Sequence, residues 1–304
     1  MSARQRRVLV TGRGTRNEAY GAPDWGIAAS TTLIWGSSFL FIAEGLESLD
    51  PGAIAWGRVV LGAAALSAFP RARVRIAGED RARIVAVSII GVIVPAAFFA
   101  IAEQWVSSAI AGMLVSAVPL ATLAFGVMLT ASLPDRLQLW GVAVGLVGVI
   151  MLTIPDLSGA ASSPPGIALV LVAVLGYGLS NNLYPPLTQQ YGGLAVMLWA
   201  QVGAVLLLLP WGVYGIAHSS FELLPVLSVV ALGVLGTGIA RALHLTLIGR
   251  VGANRGTISG YLIPIVALIL GVTLRSESVE PVQLVGVLIA IAGGWLLTRR
   301  ERPG

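Results

Sequence analysis

Apolar residues recur along the chain in stretches of about 20, separated by short polar junctions. They cover 25–46, 51–69, 84–102, 106–129, 136–154, 166–187, 193–215, 225–248, 253–274 and 281–298. A helix rising 1.5 Å per residue needs roughly 20 such residues to cross a hydrocarbon core of about 30 Å, so each stretch predicts one transmembrane helix. The junctions Glu47 to Asp50, Glu103 to Trp105 and Thr130 to Asp135 are short enough to force antiparallel neighbours. Glu103-Gln104-Trp105 divides what would otherwise be one long apolar run, and reads as a solvated outer turn. The expected organisation is a disordered cytoplasmic tail over 1–24, five helices over 25–154 and an external linker over 155–165. Five more helices over 166–298 and a cytoplasmic tail over 299–304 complete it.

Composition agrees with the pattern. Apolar residues make up 56% of the 304 and charged residues only 11%, where a soluble domain is about a quarter charged. With a mean hydropathy of +0.87 there is too little polar surface to coat a soluble globule, so the expectation is a multi-pass protein of the cell (inner) membrane. The absence of cysteine excludes disulfides, thiolate metal sites and a Cys nucleophile. All 19 basic residues are arginine, which excludes a Schiff-base lysine and hence a retinal-binding pump. The polar N-terminus carries arginines with no apolar core of 7–15 residues after them, so it is not a cleavable signal. Gly12-Arg13-Gly14 lacks the strand, helix and third glycine of a nucleotide loop.

Arginine placement sets the orientation, because cytoplasmic loops collect basic residues. With ten spans and a cytoplasmic start, the inner side holds sixteen arginines and the outer side one, Arg275, while Arg58 and Arg241 fall within spans. Both termini are therefore expected in the cytoplasm. The basic isoelectric point is a topology signal, and no nucleic-acid partner is expected.

The chain also repeats itself. Val106–Thr153 aligns with Val251–Thr298 at a constant offset of 145 with no gap, and thirteen of the 48 pairs are identical, Pro119/Pro264 and Gly148/Gly293 among them. Upstream, Trp35-Gly36-x-Ser38 falls on Tyr177-Gly178-x-Ser180 at offset 142, and Trp56-x-Arg58-Val59 on Trp199-x-Gln201-Val202 at offset 143. Five spans per half is an odd number, so the second half must be inverted relative to the first. The fold class expected is thus an all-α membrane protein of ten transmembrane helices in two inverted five-helix repeats. Inverted repeats are the architecture of secondary transporters that bind substrate near the bilayer midplane.

Several of these residues carry a resemblance to a known family. Trp35-Gly36-Ser37-Ser38-Phe39, Arg58, Val251-Gly252-Ala253-Asn254-Arg255 leading to Tyr261-Leu262-Ile263-Pro264, and the Gln283-Leu284-x-Gly286 to Gly293-Gly294 ending resemble the two EamA domains of the drug/metabolite transporter superfamily. The resemblance spans roughly 25–298 and implies a ten-helix carrier, usually an exporter of amino acids, other small metabolites or drugs. The family's Glu six residues before the Gln of each half's last span is matched by Glu277, while Ser132 stands there in the first half.

Polar residues at bilayer depth are the candidates for function, because burying them in hydrocarbon is expensive. Trp35 and Tyr177 lie ten or eleven residues into their spans, near the midplane, with Thr31 and Ser38 on the face of the first and Asn181, Asn182 and the helix-breaking pair Pro185-Pro186 after the second. They predict a central cavity walled by spans one and six. Arg241 and His244 share a face of span eight with Thr237; Arg241 reads equally as a carboxylate-binding cation or as a side chain snorkelling to the inner headgroups. His244 is a titratable neighbour of a gate or a packed ring. Glu44 and Arg58 are placed to pair near the outer ends of spans one and two, or else Glu44 faces the cavity as a proton carrier. Pro119 and Pro264 predict matched kinks, and the small residues Gly141, Gly145 and Gly148 with Gly286, Ala290 and Gly293 predict close helix packing.

There is no Walker loop, no H-E-x-x-H and no G-x-S-x-G, which argues against ATP hydrolysis and against an enzyme. No cofactor or metal is expected. The expectation is an alternating-access exporter of amino acids or other small metabolites, with the bilayer and a small-molecule substrate as partners and proton coupling as an added element. The alternatives are a multidrug exporter of lipophilic cations, or an uncoupled channel-like facilitator on the same scaffold. Trp35, Ser38, Tyr177, Asn181 and Arg241 are the residues expected to line the path.

Overall fold

A computed structural model of the chain describes residues 14–16, 18–130, 135–157, 163–275, 280–297 and 299. The described residues are built from helices and the turns between them. In chain order the long elements are α1 (Ala22–Leu46), α2 (Pro51–Ser67), α3 (Gly78–Ala102), α4 (Ile110–Thr130) and α5 (Arg136–Leu157). They continue with α6 (Pro164–Tyr191), α7 (Gly193–Ala217), α8 (Leu223–Val251), α9 (Ser259–Arg275) and α10 (Pro281–Leu297). Six of them, α1, α3, α4, α6, α7 and α8, are long and apolar enough to cross a membrane, and Pro51–Ser67, Arg136–Met151 and Leu284–Leu296 are shorter apolar helices. Residues 1–13, Ser132, Glu277 and the expected tail from 300 onward lie outside the described residues, as does 158–162 of the expected linker.

Local chemistry sets the element ends. Asp50 caps α2 by accepting from the Gly52 amide at 2.7 Å, with Pro51 at the first helical position where its missing N–H is harmless. Helices α6 and α8 stop at Gly192 and Gly252, whose φ values of 83° and 91° only glycine adopts without strain. Two expected spans are not continuous. The ninth stretch divides into a one-turn helix, Ala253–Gly256, and α9. The fourth passes through a 3₁₀ turn at Val115–Ala117 just before Pro119, where an α-helical hydrogen bond is lost. Pro185 and Pro186, in contrast, do not break their helix. α6 runs through both to Tyr191, held by neighbours that bury Tyr184, Pro185 and Leu187.

Contacts between helices come in exchanged pairs. α1 packs on α9 and α8, while their counterparts in the other half do the same, α6 packing on α4 and α3. α2 packs on α8 and α3 on α7; α2 also meets α7, and α5 meets α10. The last contact is where the small residues lie. A Cβ on Gly148 would run into the backbone of Ala290 and Gly286, and one on Gly293 into that of Gly145 and Gly141. Backbones approach this closely only where side chains are absent. The outer surface is apolar, with Leu206, Met128, Leu223 and Leu288 exposed, whereas Thr31, Asn181, Gln201, Arg241 and His244 are buried.

The segment before α1 departs from the expected disordered tail. Arg255, buried in the one-turn helix, donates from its guanidinium to the carbonyls of Glu18 at 2.5 Å and Arg16 at 3.4 Å, and its own carbonyl accepts from the Tyr20 hydroxyl. Thr15 and Arg16 donate their amides to the carbonyls of Gly249 and Arg250. Buried Asp24 then pairs with Arg250 at 3.0 Å. A buried guanidinium must find acceptors, and the backbone of residues 16 and 18 supplies them.

Candidate functional site

A cavity lies at the centre of the exchanged contacts, between α1, α2, α3, α6, α8 and the proline-bearing stretches of α4 and α9. Its walls repeat across the two halves. Trp35 faces it from α1 and Tyr177 from α6; Val115 and Val118 face it from α4, and Gly260 and Ile263, each 145 residues later, from the start of α9. Phe99 of α3 and His244 of α8 are separated by the same 145 residues, and the aromatic rings pair across the halves. Trp35 packs edge-on against His244 with centroids 4.9 Å apart, and Tyr177 stacks on Phe99 at 6.1 Å. Each aromatic of a first span is thus seated by the third span of the opposite half.

The two third spans share a distortion. α3 passes through a π-helical stretch at Ile89–Ile93 and α8 through one at Leu232–Ile239. Such stretches are frequent at functional sites. Here the carbonyl of Gly91 accepts from Arg241 Nη2, and that of Gly236, 145 residues later, accepts from Trp35 Nε1 at 3.0 Å. The sequence reading missed both glycines. The signal was available: the 145-residue offset continues upstream to pair Gly91 with Gly236, Ala96 with Arg241 and Phe99 with His244.

Charge breaks the symmetry. Arg241 stands where the first half has Ala96, and Arg58 where the second has Gln201. Arg241 is 6% exposed and does not snorkel; its guanidinium lies 4.6 Å from the Tyr177 ring centroid and 6.0 Å from those of Trp35 and Tyr184. The Tyr184 hydroxyl accepts from Nη2 at 3.4 Å, and among the described residues no carboxylate forms an ion pair with Arg241. Arg58 donates from Nε to Thr237 Oγ1 at 2.8 Å, and its buried Nη1 has no partner among the described residues. Asn181 donates to Thr122 Oγ1 at 3.1 Å and turns its Oδ1 to His244 Nε2 at 3.4 Å. Ser38 lines the cavity with its hydroxyl returned to the Ile34 carbonyl, while Thr31 points away to bond Ser259 at 2.7 Å.

Two acidic residues sit differently from the sequence reading. Glu44 is half-buried near the C-terminal end of α1, does not line the cavity, and forms no ion pair with Arg58 among the described residues, where Arg58 Nε donates to Thr237 instead. Glu103 is not a solvated turn residue. Both its carboxylate oxygens are buried with no hydrogen-bond partner among the described residues, and the charge acting on them is that of Arg58. Pro119 abuts Gly260, and Pro119 and Pro264 each lie within a turn of cavity-lining residues.

The lumen is narrow. About 60 Å³ of it is open to water-sized spheres, room for a small polar group between the rings. An aromatic-walled lumen with a caged guanidinium can receive a small anion and stack an apolar group beside it.

Comparison with known proteins agrees with this architecture. A solved structure superposes with a TM-score of 0.71 over 91% of this chain and 96% of its own, at 17% identity, and so shares the fold. The inner membrane transporter YedA of Escherichia coli strain K12 is 29% identical over 91% of this chain and 90% of its own. A protein of Streptantibioticus cattleyicolor described as a "probable terminal-alkyne amino-acid exporter" is 28% identical over 89% of this chain and 91% of its own. A "probable amino-acid metabolite efflux pump" of Salmonella typhimurium is 24% identical over 88% and 92%. The EamA-like transporter family itself matches twice, over residues 25–154 and 164–299, and with most of the chain so covered this protein belongs to that family.

Proposed function

We propose that the protein is a secondary transporter of the inner membrane that exports a small carboxylate-bearing metabolite of the amino-acid kind. It works by alternating access through the central cavity. In this reading ten helices span the bilayer as two inverted halves, with both termini in the cytoplasm. The observation that carries the substrate class is Arg241: a buried cation, caged by aromatic rings and lacking a carboxylate partner among the described residues. A charge removed from water without a counter-ion is unfavourable by several kcal/mol, so the site is complementary to an anionic ligand that supplies one. A carboxylate reaching Arg241 could stack its side chain between Trp35 and Tyr177, and its amino group could find the amide oxygen of Asn181. A second guanidinium, Arg58, lines the same lumen, which repels lipophilic cations and weighs against the multidrug alternative. The names of the exporter relatives support the same class.

Counterflow in proteoliposomes tests the proposal. Labelled amino acid is expected to accumulate faster when unlabelled amino acid is trapped inside. R241Q should weaken substrate about a hundredfold or more, the scale of a buried charge pair losing one partner, and R241K should keep part of the activity. Wild-type counterflow in R241Q at equal reconstitution would overturn the assignment.

A further inference from the structure

A second concavity lies on the outside of the bundle, at the arginine-rich end. It opens between the first turns of α3 and the middle of α7, and by the measure used for the lumen it holds about 440 Å³. Its walls are apolar, Ile84 and Val85 on one side and Val202 and Leu206 on the other, with Val85 47% and Leu206 67% exposed. At its base Gly203 lets α7 approach Ser88 closely. Its mouth is basic: Arg75 and Arg81 both line it, both are exposed, and neither side chain has a hydrogen bond or ion pair among the described residues. The neighbouring acid does not neutralise them, since Asp80 takes Arg83 at 3.2 Å and the Tyr191 hydroxyl at 2.7 Å. Trp199 borders the mouth and donates its indole N–H to the Val74 carbonyl at 2.8 Å. Tryptophans held this way gather at the headgroup level of a bilayer.

We infer that this groove is a binding site for one anionic phospholipid of the cytoplasmic leaflet, its phosphate held by Arg75 and Arg81 and an acyl chain lying between α3 and α7. An apolar trough that faces hydrocarbon is filled by lipid in any case; the two unpaired guanidinium groups at headgroup depth select the anionic kind. The inference rests on the arginine-based orientation, and it is independent of what the central cavity transports.

Native mass spectrometry on the detergent-purified protein is the test, after incubation with phosphatidylglycerol or with phosphatidylcholine of the same acyl chains. The wild type is expected to retain phosphatidylglycerol preferentially. R75Q/R81Q should lose that preference by roughly thirty-fold, the scale of two basic side chains at an anionic surface. R71Q, on the same loop outside the groove, should keep it. V85W, which fills the trough and leaves both arginines in place, should also lose the lipid. Equal retention of both lipids by the wild type, full retention by R75Q/R81Q, or full retention by V85W would overturn the site. A loss in R71Q as large as in the double variant would replace it with diffuse charge attraction.

Discussion

Trp35 contributes in two separable ways. Its ring packs on His244 and forms part of the cage around Arg241, while its indole N–H donates to the Gly236 carbonyl in the π-helical stretch. W35F keeps a ring and removes that hydrogen bond, a loss of about 0.5–1.5 kcal/mol, so transport should fall roughly two- to tenfold; W35A should fall further. Initial rates at matched protein density check this order, and identical rates in the two variants would refute the separation. The aromatic positions were legible in the sequence because Trp and Tyr at bilayer depth, each followed by glycine at matched positions, have few other uses. The bond from Trp35 to the Gly236 carbonyl was not, since the offset that pairs Gly91 with Gly236 marks the two glycines and says nothing of what their backbone oxygens accept. Glu103 was misread for a related reason: an acidic residue beside Gln104 and Trp105 looks solvated, and only packing shows its oxygens to be buried.

At the scale of elements, the α5–α10 contact and the two π-helical stretches set the geometry of the bundle. Gly148 and Gly293 sit where a methyl group would meet backbone of the opposite helix, whereas a Cβ at Gly26 of α1 meets nothing within 4 Å. Alanine at a helical glycine ordinarily stabilises by about 0.4–1 kcal/mol through the unfolded chain, and overpacking reverses the sign by about 1–3 kcal/mol. G26A should therefore hold or raise the melting temperature in detergent, and G148A and G293A should each lower it by several degrees. A G148A protein that melts with the wild type would mean the helices do not touch there. The small-residue spacing announced this contact in advance, because close backbone approach constrains side-chain size directly. Pro185 and Pro186 misled for the opposite reason. A proline's effect depends on whether neighbours hold the helix together, and α6 is buried at Tyr184, Pro185 and Leu187 around the pair.

For the whole molecule, the repeat was visible in the sequence as a constant offset, and the exchanged contacts are its three-dimensional form. The proposed orientation can be read with single cysteines, since the chain has none of its own. Q104C should react with a membrane-impermeant maleimide on intact spheroplasts, and G78C only after permeabilisation; the reverse pattern would turn the protein over. The exchange also has a consequence for biosynthesis. Trp35 bonds a carbonyl 201 residues further on, and Thr31 a hydroxyl 228 further on. At ~5–20 residues per second, the ribosome takes roughly 10–45 s to deliver those partners. Throughout that interval the Trp35 indole N–H has no acceptor from the second half, while the Thr31 and Ser38 hydroxyls fall back on carbonyls of their own helix. A message truncated after α5 should therefore yield a product that pulse-chase labelling finds rapidly degraded, and supplying the missing half from a second gene should prolong its life.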